Sequence, residues 1–105
     1  MEKSDSKYLM AKHPDMIPII MKKGDSPLLP DIDKNKFLIP RDSTLQSVYA
    51  LLRMRLHVDP SFSLQLIFKS STLHSHDKLI GQIYAEEASD DGFLYIEYTT
   101  ENSYG

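Results

Sequence analysis

Two histidines in the second half of the chain are the residues best suited to holding a metal ion. His74 and His76 are separated by one residue, and Asp77 follows them. Two imidazoles at this spacing can share a metal, but a site needs a third ligand, and the chain has no cysteine to supply it. We therefore predict a solvated loop here, with no metal site and no cofactor.

A group of carboxylates follows at Glu86, Glu87, Asp90 and Asp91, directly before Gly92. General acid–base catalysis needs carboxylates in a partly dry cleft that gives them unequal pKa values. Because Asp-Asp-Gly is a turn signal, we expect this group to be solvated. The serines lack a nucleophile-elbow context and the glycines form no phosphate-binding loop, so the sequence predicts that the protein is not an enzyme.

The last residue, Gly105, suits a different chemistry. A terminal carboxylate that is adenylated, passed on as a thioester and joined to an amine must enter narrow active sites. A residue without a Cβ, preceded by a flexible polar segment, fits that task. A terminal glycine alone is a weak signal, but a protein modifier requires one at the end of a compact domain.

The segment Lys36-Phe37-Leu38-Ile39-Pro40 predicts a short strand at the edge of a sheet, because the side chains alternate and a proline ends the run. Lys36 and Leu38 then point to one side, and Phe37 and Ile39 to the other. Proteins either cover such an apolar edge or use it. If the protein uses this edge for binding, an extended peptide adds to the sheet as a further strand and places alternate side chains in pockets on either side.

The bulk properties favour one soluble domain of 105 residues with a formal net charge of −3, which argues against nucleic acid as a partner. No apolar run approaches the roughly 20 residues of a membrane span. The first residues do not form a signal peptide. We expect a cytoplasmic protein to which any membrane attachment is added by other means.

The first half of the chain predicts a short helix and two antiparallel strands. The helix is capped by Ser4 or Asp5 and runs to about Lys12, with Tyr8 and Leu9 facing inward. A strand over residues 16–21 follows, with a local irregularity at Pro18, and then a loop over residues 22–33.

The second half is organised around a long helix that begins with a capping box, Ser43-x-x-Gln46. Strands are predicted over residues 63–69 and 93–99, and the segment 70–81 between them predicts a loop. After that loop, Ile80, Ile83 and Tyr84 suggest one buried helical turn. The apolar stripe of the helix is Leu45, Val48, Tyr49, Leu52 and Leu56, and the inward residues of the last strand are Leu94, Ile96 and Tyr98.

These elements predict an α+β domain with a ubiquitin-like β-grasp fold. In it, a four-stranded mixed sheet packs on one long helix, with a short N-terminal helix added. We expect a single domain over residues 1–105, divided into a helical extension (1–13), a β-grasp core (14–99) and a flexible tail (100–105).

Several motifs occur together, in the order and near the spacing of one known family. The sequence resembles the autophagy ubiquitin-like modifiers, the family of the GABA-receptor-associated protein and the microtubule-associated light-chain proteins. The resemblance extends from about Lys7 to Gly105. The motifs are Lys12-His13-Pro14-Asp15, Ile17-Pro18-Ile19-Ile20, Leu29-Pro30-Asp31-Ile32-Asp33-Lys34, Lys36-Phe37-Leu38-Ile39-Pro40, Arg53-x-Arg55-Leu56-His57, Asp91-Gly92-Phe93-Leu94-Tyr95 and Glu101-Asn102-x-Tyr104-Gly105.

The resemblance implies conjugation of Gly105 to phosphatidylethanolamine on autophagosomal membranes. It implies as partners an E1-like activating enzyme, an E2-like conjugating enzyme, a processing or deconjugating cysteine protease, and receptors or adaptors with aromatic-x-x-aliphatic motifs. A non-covalent adaptor with the same groove is the alternative.

The resemblance also implies a site of two pockets and a cationic rim. The aromatic pocket is Asp5, Leu9, Pro18, Ile20, Lys36, Leu38 and Phe93. The aliphatic pocket is Phe37, Ile39, Pro40, Val48 and Leu51. The contacts for acidic residues beside the motif are Lys34, Lys36 and Arg55.

The sequence departs from the family at four positions and at its start. Ser43 and Val48 stand where larger apolar residues are usual, so we expect a shallower or wider aliphatic pocket. Met16 and Asn35 stand where basic residues are common. The chain begins roughly a dozen residues later than typical members, and we expect the outermost N-terminal helix to be absent or truncated.

Overall fold

The computed structural model describes residues 3–25, 29–59 and 61–100, with side chains from residue 5 onward. It contains three helices and four strands within these ranges. In chain order they are α1 (Lys3–Lys12), β1 (Met16–Lys23), β2 (Lys36–Pro40), α2 (Leu45–Leu56), β3 (Gln65–Ile67), α3 (Ile80–Glu87) and β4 (Leu94–Thr99).

The four strands form one mixed sheet in the order β2-β1-β4-β3. β1 pairs antiparallel with β2 and parallel with β4, while β3 pairs antiparallel with β4. This is the α+β ubiquitin-like arrangement that the sequence predicts. It leaves β2 and β3 as the two edges of the sheet.

The apolar stripe of α2 faces the sheet as its periodicity predicts. Leu45, Val48, Leu52 and Leu56 are at most 4% exposed. The predicted capping box is wrong by one residue, because Thr44 is the N-cap and its side chain accepts from the Ser47 backbone N–H. Alternate residues of β1 and β4 and two residues of α3 add to this core: Ile17, Ile19, Met21, Leu94, Ile96, Tyr98, Ile80 and Ile83. The edge strands and the loops complete it with Leu29, Phe37, Ile39, Leu64, Leu66 and Phe68.

α1 differs from its prediction at both its start and its inward face. The helix begins at Lys3, before either predicted cap, Ser4 or Asp5. Tyr8 is 62% exposed, so its inward assignment is wrong, and Ser6 is buried instead. A small polar residue lies inside because the helix approaches the turn before β4 closely.

Pro18 causes no irregularity in β1, contrary to the prediction. The pairing with β2 runs without interruption from Met16↔Pro40 to Ile20↔Lys36. The pairing with β4 begins at Ile19, one residue after the proline. Pro18 therefore lies outside the β4 ladder, where its missing N–H costs no bond to that strand.

α3 is longer than the single turn predicted, and it begins at Ile80, inside the expected loop over residues 70–81. Among the residues described, no helix has the length and apolar character to span a bilayer.

Candidate functional site

The edge strand β2 is the centre of the candidate site. It pairs with β1 on one side, and within the described ranges no strand pairs with its other side. Its side chains alternate as predicted, since Phe37 and Ile39 are 7% and 8% exposed, Leu38 is half-buried, and Lys36 and Pro40 are exposed. Backbone groups at this edge are therefore positioned to pair with an added strand.

The predicted aromatic pocket lies between β2 and α1. A depression of about 310 Å³ is lined by Leu9 from the helix and by Lys34, Lys36, Phe37 and Leu38. Pro18 and Ile20 are the strand partners of Leu38 and Lys36, and directly opposed residues share a face of the sheet.

Lys36 connects the remaining two members of this pocket. Its ammonium lies 3.9 Å from an oxygen of Asp5 on α1. It also lies 5.8 Å from the centre of the Phe93 ring, which is itself buried. The structure thus brings together residues from α1, β1, β2 and the position directly before β4.

The residues predicted for the aliphatic pocket come from β2 and α2, and one of them, Phe37, also lines the depression beside α1. Phe37, Ile39 and Val48 are below the surface, with Val48 only 1% exposed. Leu51 is half-buried and Pro40 is exposed, so these two present the accessible apolar atoms. The prediction of a shallower or wider aliphatic pocket stays a prediction.

Two of the three predicted cations, Lys34 and Arg55, lie beside the ring of Phe37. The Lys34 ammonium lies 5.5 Å from the ring centre, and the Arg55 guanidinium carbon lies 5.6 Å from it. Arg55 also approaches a carboxylate oxygen of Asp33 at 3.5 Å. With Lys36, these side chains place positive charge along the edge of β2.

Sequence reasoning missed a larger cleft next to this edge, at the end of β1. The cleft has a volume of about 540 Å³ and shares Lys34 and Lys36 with the groove, while Lys22 and Lys23 extend its positive charge. Lys23 is held by Asp31 at 3.3 Å. Two consecutive lysines at the end of a strand were the available signal.

The comparisons with known proteins agree with this architecture. A family model described as "Autophagy protein Atg8 ubiquitin like" matches residues 1–105. The chain is 39% identical over 101 residues to Autophagy-related protein 8h of Arabidopsis thaliana, a match that covers 96% of this chain and 84% of the plant protein. The fold is similar to the crystal structure of Trypanosoma brucei ATG8, with a TM-score of 0.86, 30% identity, and coverage of 94% of this chain and 84% of that one.

The chain belongs to the Atg8 family. Its members are autophagy-related ubiquitin-like modifiers and not enzymes. The family assignment and the α+β ubiquitin-like fold that the sequence predicts are confirmed. The assignment of individual residues to the two pockets stays a prediction, and Gly105 lies outside the described residues.

The predicted solvated histidine loop is wrong at His74, which lies away from the groove. The His74 side chain is 2% exposed, and its Nε2 lies 2.8 Å from an oxygen of Glu87, which is 3% exposed. Glu87 also accepts from the backbone N–H and the hydroxyl of Ser70. Its burial was missed too, because a carboxylate beside a turn signal is normally solvated.

The hydrogen bonds around Glu87 control its ionisation. Burial alone would raise the pKa of this carboxyl, but the hydrogen bonds from Ser70 and His74 outweigh it and lower the pKa. Within the described part of the chain, no group of three potential ligands is suited to a metal ion. His74 and Glu87 therefore form a buried structural pair that ties the loop after β3 to α3.

Proposed function

We propose that this Atg8-family protein is conjugated through Gly105 to phosphatidylethanolamine on autophagosomal membranes and recruits receptors or adaptors with aromatic-x-x-aliphatic motifs. The observation that carries the recruitment half is the outer edge of β2, with which no strand of the described residues pairs. This edge has an apolar depression beside it and cations along its length. The cations suit acidic residues beside the motif.

The geometry of an added strand accounts for the spacing of the motif. Side chains of an extended peptide alternate between faces, so residues three apart point to opposite sides. An aromatic residue that faces the pocket between β2 and α1 therefore places the aliphatic residue over α2. The backbone between them forms hydrogen bonds with β2.

The affinity of such a peptide should be modest, because a short segment buries little surface. We expect a dissociation constant of about 1 μM, which corresponds to about −8 kcal/mol. The exposed lysines contribute mainly to association at low ionic strength, because charges in water are screened by salt.

Conjugation supplies the membrane attachment in this proposal. The E1-like enzyme activates the Gly105 carboxylate, the E2-like enzyme carries it as a thioester, and the lipid amine attacks to form an amide. A processing or deconjugating cysteine protease acts at the same end. Two acyl chains give stable anchoring, so the protein is cytoplasmic when free and autophagosomal when lipidated.

Titration of a motif peptide against matched leucine variants tests the groove. Leu38→Ala should weaken binding about tenfold, or about 1.4 kcal/mol, because it removes part of a pocket wall. Leu73→Ala is the control, since Leu73 is 74% exposed and has no place in the groove. Undiminished binding by Leu38→Ala would remove the basis for the aromatic pocket.

The double variant Phe37→Ala/Leu38→Ala should abolish binding, because it truncates one residue on each side of β2. Phe37 is a core residue, so circular dichroism must first show that the variant is folded.

A further inference from the structure

α1 meets the turn before β4 through a close approach of Ser6 to Gly92. Ser6 is 2% exposed, and its hydroxyl donates to the Asp91 carbonyl oxygen at 2.5 Å. Gly92 has a φ of +89°, and a Cβ on it would lie 2.2 Å from the oxygen and 2.9 Å from the Cβ of Ser6. A glycine is therefore needed both for the backbone conformation and for the approach of the helix.

The turn that receives Ser6 is itself fixed by hydrogen bonds. The Asp91 carboxylate accepts from the Phe93 backbone N–H at 3.0 Å and from the Tyr95 hydroxyl at 2.5 Å. Burial alone would raise the pKa of Asp91, but these hydrogen bonds outweigh it and lower the pKa. The carboxylate is therefore ionised at neutral pH and holds in place the carbonyl group to which Ser6 donates.

A second contact joins the next turn of α1 to the same glycine. The Tyr84 hydroxyl donates to the Gly92 carbonyl oxygen at 2.7 Å and lies 3.3 Å from the sulfur of Met10. Ser6 and Met10 are four residues apart, so they share one face of the helix. The described part of α1 has no apolar stripe like that of α2. The helix packs on β1, and the contacts of Ser6 and Met10 fix it against the turn before β4.

We propose that the contact between Ser6 and Gly92 is a positioning contact that sets where α1 lies over the aromatic pocket and so controls affinity for the aromatic residue of a bound peptide. The proposal rests on the groove function proposed above. Each partner is adjacent in sequence to a pocket residue, since Asp5 precedes Ser6 and Phe93 follows Gly92. A displacement of the helix at this contact therefore moves Asp5 and Leu9 away from Lys36 and Phe93.

This effect is separable from folding of the rest of the domain. The large buried residues on the inner face of β1 and β4 pack with α2 and α3, and none of the core cluster comes from α1. Displacement of α1 therefore leaves the core and the edge of β2 in place. The loss of peptide affinity should come from the aromatic half of the groove.

The test is a titration of Gly92→Ala with an acidic peptide that contains an aromatic-x-x-aliphatic motif. We expect the dissociation constant to rise about tenfold, while Tyr8→Ala, an exposed change on the same helix, leaves it unchanged. A second peptide has alanine in place of the aromatic residue and uses only the aliphatic half of the groove. Its dissociation constant, measured by chemical-shift titration, should differ by less than about twofold between wild type and Gly92→Ala. Equal losses for the two peptides would overturn the proposal.

A double variant separates the steric clash from backbone strain. Ser6→Gly removes the atoms that an alanine at 92 would meet, whereas strain at φ +89° is the same in both variants. Because Ser6→Gly also removes the hydrogen bond to Asp91, the double variant Gly92→Ala/Ser6→Gly is compared with Ser6→Gly alone. We expect these two variants to bind the peptide with dissociation constants within about twofold of each other, and a further rise of about tenfold in the double variant would overturn the proposal.

Hydrogen exchange of the α1 amides in the free protein tests the contact between Ser6 and Gly92 without any bound peptide. Gly92→Ala should accelerate exchange in α1 and leave α2 protected, and unchanged exchange would overturn the proposal even where no peptide binds. Wild-type protein that binds neither peptide would contradict only the proposed groove. If Gly92→Ala does not fold, Ser6→Leu introduces the same clash from the side of the helix. Unchanged hydrogen exchange in α1 and unchanged peptide affinity in that variant would overturn the proposal.

Discussion

Replacing Glu87 by glutamine should destabilise the protein strongly, although the change is nearly isosteric. The Glu87 side chain is 3% exposed and accepts from the Ser70 N–H at 3.1 Å, the Ser70 hydroxyl at 2.5 Å and His74 Nε2 at 2.8 Å. A glutamine has one acceptor oxygen, and its amide group would face donors. His74 is unable to adjust freely, because its other ring nitrogen lies 3.4 Å from the Lys78 ammonium.

The magnitude follows from the lost hydrogen bonds. A hydrogen bond to a charged group contributes about 1.5–3 kcal/mol, and leaving a buried partner unsatisfied costs about 1–3 kcal/mol. We expect Glu87→Gln to lower the free energy of unfolding by about 3 kcal/mol, allowing for partial relaxation. For a domain of this size, that loss lowers the melting temperature by about 12 °C.

The control lies next to it in the chain. Glu86 is 53% exposed, pairs with Lys78 at 2.8 Å and lies 3.9 Å from His74 Nδ1, so Glu86→Gln makes the same chemical change at the exposed end of the same cluster. Exposed ion pairs contribute little, and we expect a loss below about 0.5 kcal/mol. Urea unfolding of both variants, followed by circular dichroism, is the assay. A loss below about 1 kcal/mol for Glu87→Gln would refute the buried network.

The same network predicts a pH dependence with a definite sign. The pKa of Glu87 is lowered from its ordinary value of 4.5 in the folded state. Its stabilisation is therefore fully present above the unfolded-state pKa and is lost as the pH falls through the folded-state pKa. The stability difference between wild type and Glu87→Gln should be constant near neutral pH and shrink below about pH 4.5. A difference that grows in acid would contradict this assignment.

Two further changes test the groove and the long helix. Lys36→Glu should weaken peptide binding mainly at low salt, because the Lys36 ammonium near Asp5 is exposed and salt screens its charge. An equal loss of affinity at 1 M salt would indicate that Lys36 acts by packing over Phe93. Thr44→Ala should lower the free energy of unfolding by about 1 kcal/mol in urea, because it removes the N-cap that accepts from Ser47, and no loss would argue against that cap.

The fold could be predicted from the sequence wherever hydrophobic periodicity extends over several residues. The stripe of α2 and the alternation along β2 and β4 determine which faces are buried, and the structure confirms them. The N-terminus of α2 was misplaced by one residue because Ser43 and Thr44 are adjacent and both can cap. Local propensity does not choose between two such neighbours.

The errors at His74, Glu87 and Tyr8 concern contacts between residues distant in sequence. His74 and Glu87 are polar and lie 13 residues apart, so no local pattern reveals that they are buried together. Tyr8 is predicted to face inward but is 62% exposed, whereas the position that faces Gly92 holds the small residue Ser6. The candidate site was located by alternation along β2 and by the family resemblance, since the sequence alone does not show that α1 forms one wall.

The most direct test of the central claim is intact-mass spectrometry after incubation with the activating and conjugating enzymes, ATP and phosphatidylethanolamine liposomes. The wild-type protein should gain the mass of one lipid less one water. Gly105→Ala, which adds one methyl group at the reacting end, is the matched control and should gain much less or nothing. No gain by the wild type, with enzymes shown to be active on another family member, would contradict the modifier account and leave a non-covalent adaptor.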